Sequence, residues 1–215
     1  MVVSVALIMA ITVPTNAVLA DTSSPYLNIK TALVNGAVNG AALQAVLYTG
    51  GHIPKDGSGG AFGYGILTSA GNNAVIVATT HEGVKDSIAQ RSDSGPIWHT
   101  HFVRLVADEA TCGATGARVA AITFEQPGRV VVTGNTAIFD LTPSSFRGTA
   151  AEPLLDSRAQ PTTGTPLTLT PGHNVQDVVS FKLQPIIKGG VLQAVCVEDI
   201  AHAQQIVTNP NTISN

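Results

Sequence analysis

Short runs of Val, Ile, Thr and aromatic residues, each cut off by Gly, Pro or Asn before a helix could complete its turns, recur along nearly the whole chain. This punctuation constrains the fold more than any other feature, because it specifies many strands joined by tight turns. Strands are predicted near 26–34, 41–49, 61–68, 74–81, 97–106, 117–125, 128–133, 136–141, 165–170, 176–187 and 191–199. Gly71-Asn72-Asn73, Gln126-Pro127-Gly128-Arg129 and Lys188-Gly189-Gly190 each separate two β-rich runs, as hairpin turns do.

Helical periodicity is confined to 198–207 (EDIAHAQQIV), which predicts a short helix, and to one or two turns within 83–91. The stretch 143–164 reads as a loop. So many short strands must each bury one face, so the expected fold is all-β: an antiparallel β-sandwich or jelly roll with Gly/Pro-rich turns and little helix. The expected organisation is a signal peptide over 1–20, a single β-sandwich domain over 21–207 and a frayed tail over 208–215.

Composition excludes several classes. Of 215 residues, 44% are apolar and 12% charged, with 21 Gly and 12 Pro, which is the balance of a turn-rich globular protein rather than a disordered one. The net charge is −3 and the eleven Lys and Arg form no run, so there is no electrostatic footprint for nucleic acid or anionic lipid.

Residues 2–13 (VVSVALIMAITV) are too short to span a bilayer and are followed by Pro14 and small residues. This reads as a secretory signal peptide without a basic n-region, cleaved after Ala20 or Ala17. No later segment is long and apolar enough for a transmembrane helix, so a secreted or extracytoplasmic protein is expected. In such a compartment the two cysteines, Cys112 and Cys196, are expected to pair. The bridge would close a loop of over eighty residues, to which chain entropy assigns about 4–5 kcal/mol.

Six histidines stand in the chain: His52, His81, His99, His101, His173 and His202. In Ile97-Trp98-His99-Thr100-His101-Phe102-Val103 the two histidines are two apart, so on a strand both rings leave the same face, shared with Val103 and Leu105. Imidazoles on an apolar face are costly unless each ring nitrogen finds a partner, and a metal ion is one such partner. If 61–68, 74–81 and 97–106 run as an antiparallel meander, His81 comes beside His99 or His101, and the Gly-rich loop before the first strand brings His52 close.

His81, His99 and His101 are therefore the candidate ligands of zinc or copper, with His52 as a possible fourth. Glu82 and Asp86, with Asp93, lie in the connection 82–96 and are candidate supporting acceptors or a general base, under a loop long enough to be a lid. His173 and His202 are expected at the surface.

Other motifs fail on spacing. Ser94 follows His81 by only thirteen positions, which leaves no room for a chymotrypsin-type triad. The Glu expected after a cupin-type His-x-His pair is replaced by Arg104, Leu105 and Val106, and no Cys-His-Met set of a blue-copper site exists. Gly57-Ser58-Gly59-Gly60 lacks the Lys-Ser/Thr of a phosphate loop. The competing expectation is a non-catalytic extracytoplasmic structural or interaction module, binding a protein or glycan partner and no metal.

Overall fold

The computed structural model describes residues 24–35, 42–69, 71–73, 75–81, 84–85, 98–113, 116–123, 126–143, 147–148, 150–152, 154–155, 160–161, 167–168 and 175–208. The expected signal segment, Glu82, Asp86, Asp93, His173 and most of the 82–96 connection lie outside them.

The strands, in chain order, are β1 (Ile29–Asn35), β2 (Ala42–Thr49), β3 (Phe62–Thr68), β4 (Val75–Thr80), β5 (Val84–Lys85), β6 (His99–Ala107), β7 (Ala117–Thr123), β8 (Gly128–Thr133), β9 (Thr136–Pro143), β10 (Arg147–Gly148), β11 (Ala150–Glu152), β12 (Leu154–Leu155), β13 (Gln160–Pro161), β14 (Leu167–Thr168), β15 (Val175–Lys188), β16 (Val191–His202) and β17 (Ile206–Thr208). One helix longer than a 3-10 turn is described, α1 (Glu109–Cys112). The protein is mostly β.

Two larger sheets result. One has the order β17-β1-β2-β9-β8. In the other, β7-β16-β15-β3-β4-β6 run antiparallel and β6 pairs back onto β7, so these six strands close into a barrel. Closure removes the free edges that an open sheet would leave. The expectation of a sandwich thus meets a different arrangement: one sheet of five strands lies against the outside of a closed barrel.

Strand periodicity explains both compartments. Along β4, Val75 and Val77 point into the lumen and Ile76 and Ala78 point at the five-stranded sheet, so the whole strand is buried. The layer between sheet and barrel holds Ile29, Leu47, Phe62, Tyr64, Ile66, Phe102 and Phe139, among others. The lumen holds Val75, Val77, Val103, Ile122, Val179, Phe181 and Val197. On β3 the first two lumen positions are glycines, Gly63 and Gly65, and the third is Leu67. A Cβ on Gly63 would stand 2.4 Å from the Ala78 carbonyl oxygen and 3.0 Å from the Phe181 ring, which is Gly63's cross-strand partner. The missing side chain is what admits that ring into a narrow barrel.

The barrel is closed most thinly between β16 and β7, where the ladder has a single register pair, Cys196↔Arg118. The expected disulfide is present at that seam, joining Cys196 to Cys112 at the end of α1. Both cysteines are buried.

Several local expectations are corrected. The segment 198–207 is no helix: it is the end of β16 and the start of β17, because Val179↔His202 and Ser180↔Ala201 pairing holds it in the barrel. Within 83–91, Val84 and Lys85 pair with Leu155 and Leu154 as strands, and 143–164 carries short ladders of its own. The hairpin expected at Gly71–Asn73 is present: a 3-10 turn there joins the antiparallel neighbours β3 and β4.

Candidate functional site: a histidine row in the barrel lumen

His81 continues β4 by one residue, and His99 and His101 open β6. The register Thr79↔His99 and Val77↔His101 puts all three rings on the lumen side, in phase with Val75, Val77 and Val103. They stand at the end of the barrel where β3 and β6 begin and β4 and β7 end. His99 and His101 are each 1% exposed and His81 7%.

The rings form a row. His81 and His99 centroids are 4.9 Å apart at 83°, and His99 and His101 centroids are 4.8 Å apart at 86°, so each ring meets its neighbour edge to face. The Nε2 atoms of His81 and His99 face each other at 3.2 Å. His101 donates from Nδ1 to the Thr123 carbonyl at 2.9 Å. That bond fixes its neutral tautomer, leaving the lone pair on Nε2.

Chemically, two imidazole nitrogens 3.2 Å apart have two uses. One ring can donate an N–H to the other's lone pair, or both lone pairs can face one cation. Tetrahedral zinc with bonds of about 2.0–2.1 Å sets its ligand nitrogens about 3.3 Å apart. Among the described residues, no group of three or more His, Cys, Asp or Glu side chains is arranged to hold a metal ion. The convergent unit is thus a pair, with His101 beside it.

The other histidines are placed differently. His52 is exposed in the loop between β2 and β3. It adds a minor attraction to Asp56, whose carboxyl is lowered mainly by its hydrogen bonds with Ser58. His202 is exposed near the opposite end of the barrel, its Nδ1 at 2.5 Å from Asp177 Oδ2.

Sequence reasoning missed two contributors. The Thr123 carbonyl reaches His101 only because β7 returns beside β6, and a backbone group carries no side-chain signal. Four aromatics that are scattered in sequence meet outside the same barrel end: Tyr64 stacks on Trp98 at 5.8 Å, and Phe62 touches Tyr26, Tyr64 and Trp98. Trp98 donates to the Pro54 carbonyl and Tyr64 to that of Tyr26, which pins the loop after β2 and residues 24–28 against the barrel. Burial pushes the Tyr64 phenol well above its ordinary range, with Tyr26 adding to it.

Fold and site together define a class: an all-β, disulfide-bonded protein with a six-stranded antiparallel barrel, a flanking five-stranded sheet, and a buried histidine row in the lumen. No protein-family model, curated protein or solved structure matches this chain. Among the described residues no helix is long and apolar enough to cross a membrane.

Proposed function

We propose that this chain is an exported metal-binding protein in which His81 and His99 clasp one divalent transition-metal ion, zinc or copper, with His101 as the third imidazole. The observation that carries the reading is the 3.2 Å separation of the two Nε2 atoms inside the barrel. It fits a tetrahedral bite and falls short of the roughly 4 Å that two nitrogens need across a linear ion with bonds of this length. The His101 Nδ1 bond to a backbone carbonyl is the second-sphere contact that metal-ligating histidines ordinarily make. Export accords with the Cys112–Cys196 bond, since disulfides persist in oxidising compartments. The reading is one of binding and assigns no reaction. Glu82 and Asp86 remain its proposed supporting acceptors.

Metal content of tag-free protein, after dialysis against Zn²⁺ or Cu²⁺, tests it. One ion per chain is expected in the parent, in His52→Ala and in His202→Ala. A loss of affinity of at least about tenfold, or 1.4 kcal/mol, is expected in His81→Ala and His99→Ala. Negligible binding by the parent, or equal binding by all variants, overturns it. The second reading is a non-catalytic module in which the same nitrogens share a proton as a fold-specifying hydrogen bond, favoured by the distance lying within hydrogen-bond range. It predicts that folded His99→Ala protein and the parent are equally indifferent to metal.

A further inference from the structure

The outer face of the five-stranded sheet carries a row of apolar residues that no alternation argument requires. Register pairs Val207↔Leu33, Leu33↔Val46, Val46↔Ile138 and Ile138↔Val131 run straight across all five strands, one residue from each. Val207, Leu33, Ile138 and Val131 are 41%, 36%, 39% and 44% exposed. The next row is Thr31, Tyr48, Thr136 and Thr133, with Tyr48 at 40% exposure. The row on the other side is Asn35, Gln44, Asp140 and Arg129. An antiparallel sheet with one solvated face ordinarily alternates apolar-in with polar-out, and this face departs from that rule along a single line.

We infer that this face is the interface of a homodimer, in which two copies pack their five-stranded sheets face to face across a two-fold axis. Three features select a second copy. Arg129 and Asp140 neutralise each other within one chain at 2.9 Å, and the remaining cation of the face, Lys30 in the β1 bulge beside Thr31, would stand two strand spacings, about 9.6 Å, from the other copy's Lys30 across an axis along β2. The row is self-complementary: a two-fold axis through Val46 sets Val207 against the other copy's Val131 and Leu33 against its Ile138, apolar against apolar, as an isologous contact requires. The footprint also suffices. The five strands hold 7, 8, 8, 6 and 3 residues. At about 4.8 Å between strands and 3.4 Å per residue they cover about 500 Å². Two copies together therefore reach about 1,000 Å², the lower bound of a specific interface, which sets the expected affinity in the micromolar range. Sheets stacked about 10 Å apart would bury the row as a sandwich core.

Sedimentation equilibrium on the full chain with its disulfide intact tests the inference. A monomer–dimer equilibrium is expected, with a dissociation constant raised at least about a hundredfold by Leu33→Lys with Ile138→Lys. Ile138→Thr with Val131→Thr keeps strand-forming side chains and guards against misfolding: it is expected to weaken the dimer at least about tenfold while circular dichroism and Tm match the parent. Val191→Lys, at the exposed tip of the β15–β16 hairpin, is expected to leave the dimer unchanged. A parent that stays monomeric to about 100 µM, well above that range, overturns the inference. So does a dimer that survives the threonine pair, a dimer lost in Val191→Lys, or association seen only with lipid vesicles.

Discussion

The two apolar compartments of this molecule are built from the same strands and filled with different side chains. Between sheet and barrel lie the large groups, with Phe62, Tyr64, Phe102 and Phe139 each at most 1% exposed, together with Ile29, Leu47, Ile53, Ile66 and Ile76. Inside the barrel the filling is mostly valine, with Phe181 over two glycines and three imidazoles at one end. A six-stranded barrel is narrower than the eight-stranded ones whose interiors just fit side chains. Bulk therefore goes outside the lumen, and the lumen's polar groups are held by rigid strands on every side. Stability and chemistry are divided between the compartments: the outer layer supplies most buried area, and the lumen supplies fixed geometry.

That division is broken or sharpened first by two truncations. Phe139→Ala empties an aromatic-sized space in the outer layer and is expected to cost about 3–5 kcal/mol. Val77→Ala in the lumen removes two methyl-sized groups and is expected to cost about 1.5–2 kcal/mol. Urea unfolding of both variants checks the contrast, and equal losses would show that the compartments carry load alike.

The seam of the barrel comes next. With one register pair joining β16 to β7, the Cys112–Cys196 bond carries a large share of the closure. The double variant Cys112→Ala with Cys196→Ala is expected to lose about 2–5 kcal/mol, with amide exchange rising first in β7 and β16. Protection lost evenly over both sheets would place the disulfide's effect in the unfolded chain rather than at the seam.

Gly63 sharpens the account of the lumen itself. A methyl group there meets the Ala78 carbonyl at 2.4 Å, which is backbone and cannot swing aside. Gly63→Ala is expected to destabilise by about 1–3 kcal/mol through overpacking. It should also disturb the histidine row, since β4 runs directly between Gly63 and β6. Heteronuclear spectra of the imidazoles read that effect, and unchanged His81 and His99 signals would mean that the row is positioned independently of Phe181.

The meander β3–β4–β6 was legible because its pairings are sequential, and the two-residue spacing of His99 and His101 fixed their common face before any contact was known. Closure was not legible. It depends on β15 pairing with β3 across more than a hundred residues and on β16 meeting β7 at Cys196↔Arg118, neither of which leaves a periodicity. The helix expected over 198–207 has a local cause: Asp199 takes a positive φ of 48° beside a register shift in the β15–β16 ladder. The extra residue breaks the two-residue alternation and leaves an apolar spacing that imitates a helix. His52 belonged to the expected set by proximity in sequence to β3, and the structure leaves its ring in solvent, since a Gly-rich loop fixes no side-chain direction.

The smallest expected effect concerns Asp108, at the end of the barrel away from the histidines. Its carboxylate accepts from the Thr111 amide at 3.1 Å, capping α1, and from Arg118 Nε at 2.8 Å. These partners, Thr111 first and Arg118 after it, hold the carboxyl below its ordinary value of 3.8. A carboxyl lowered on folding stabilises the folded state when ionised, so its contribution is complete above that ordinary value and is lost as pH falls through the lowered one. The cap and its arginine matter because α1 carries Cys112 to the seam. The Tm of the parent is expected to exceed that of Asp108→Asn at pH 7, with the gap closing as pH drops below 3.8 and narrowing in high salt, as for any solvent-facing charge. A gap that persists unchanged in acid would assign the effect to the shape of the capping side chain instead of its charge, and would leave the seam held by the disulfide and the single β7–β16 pair alone.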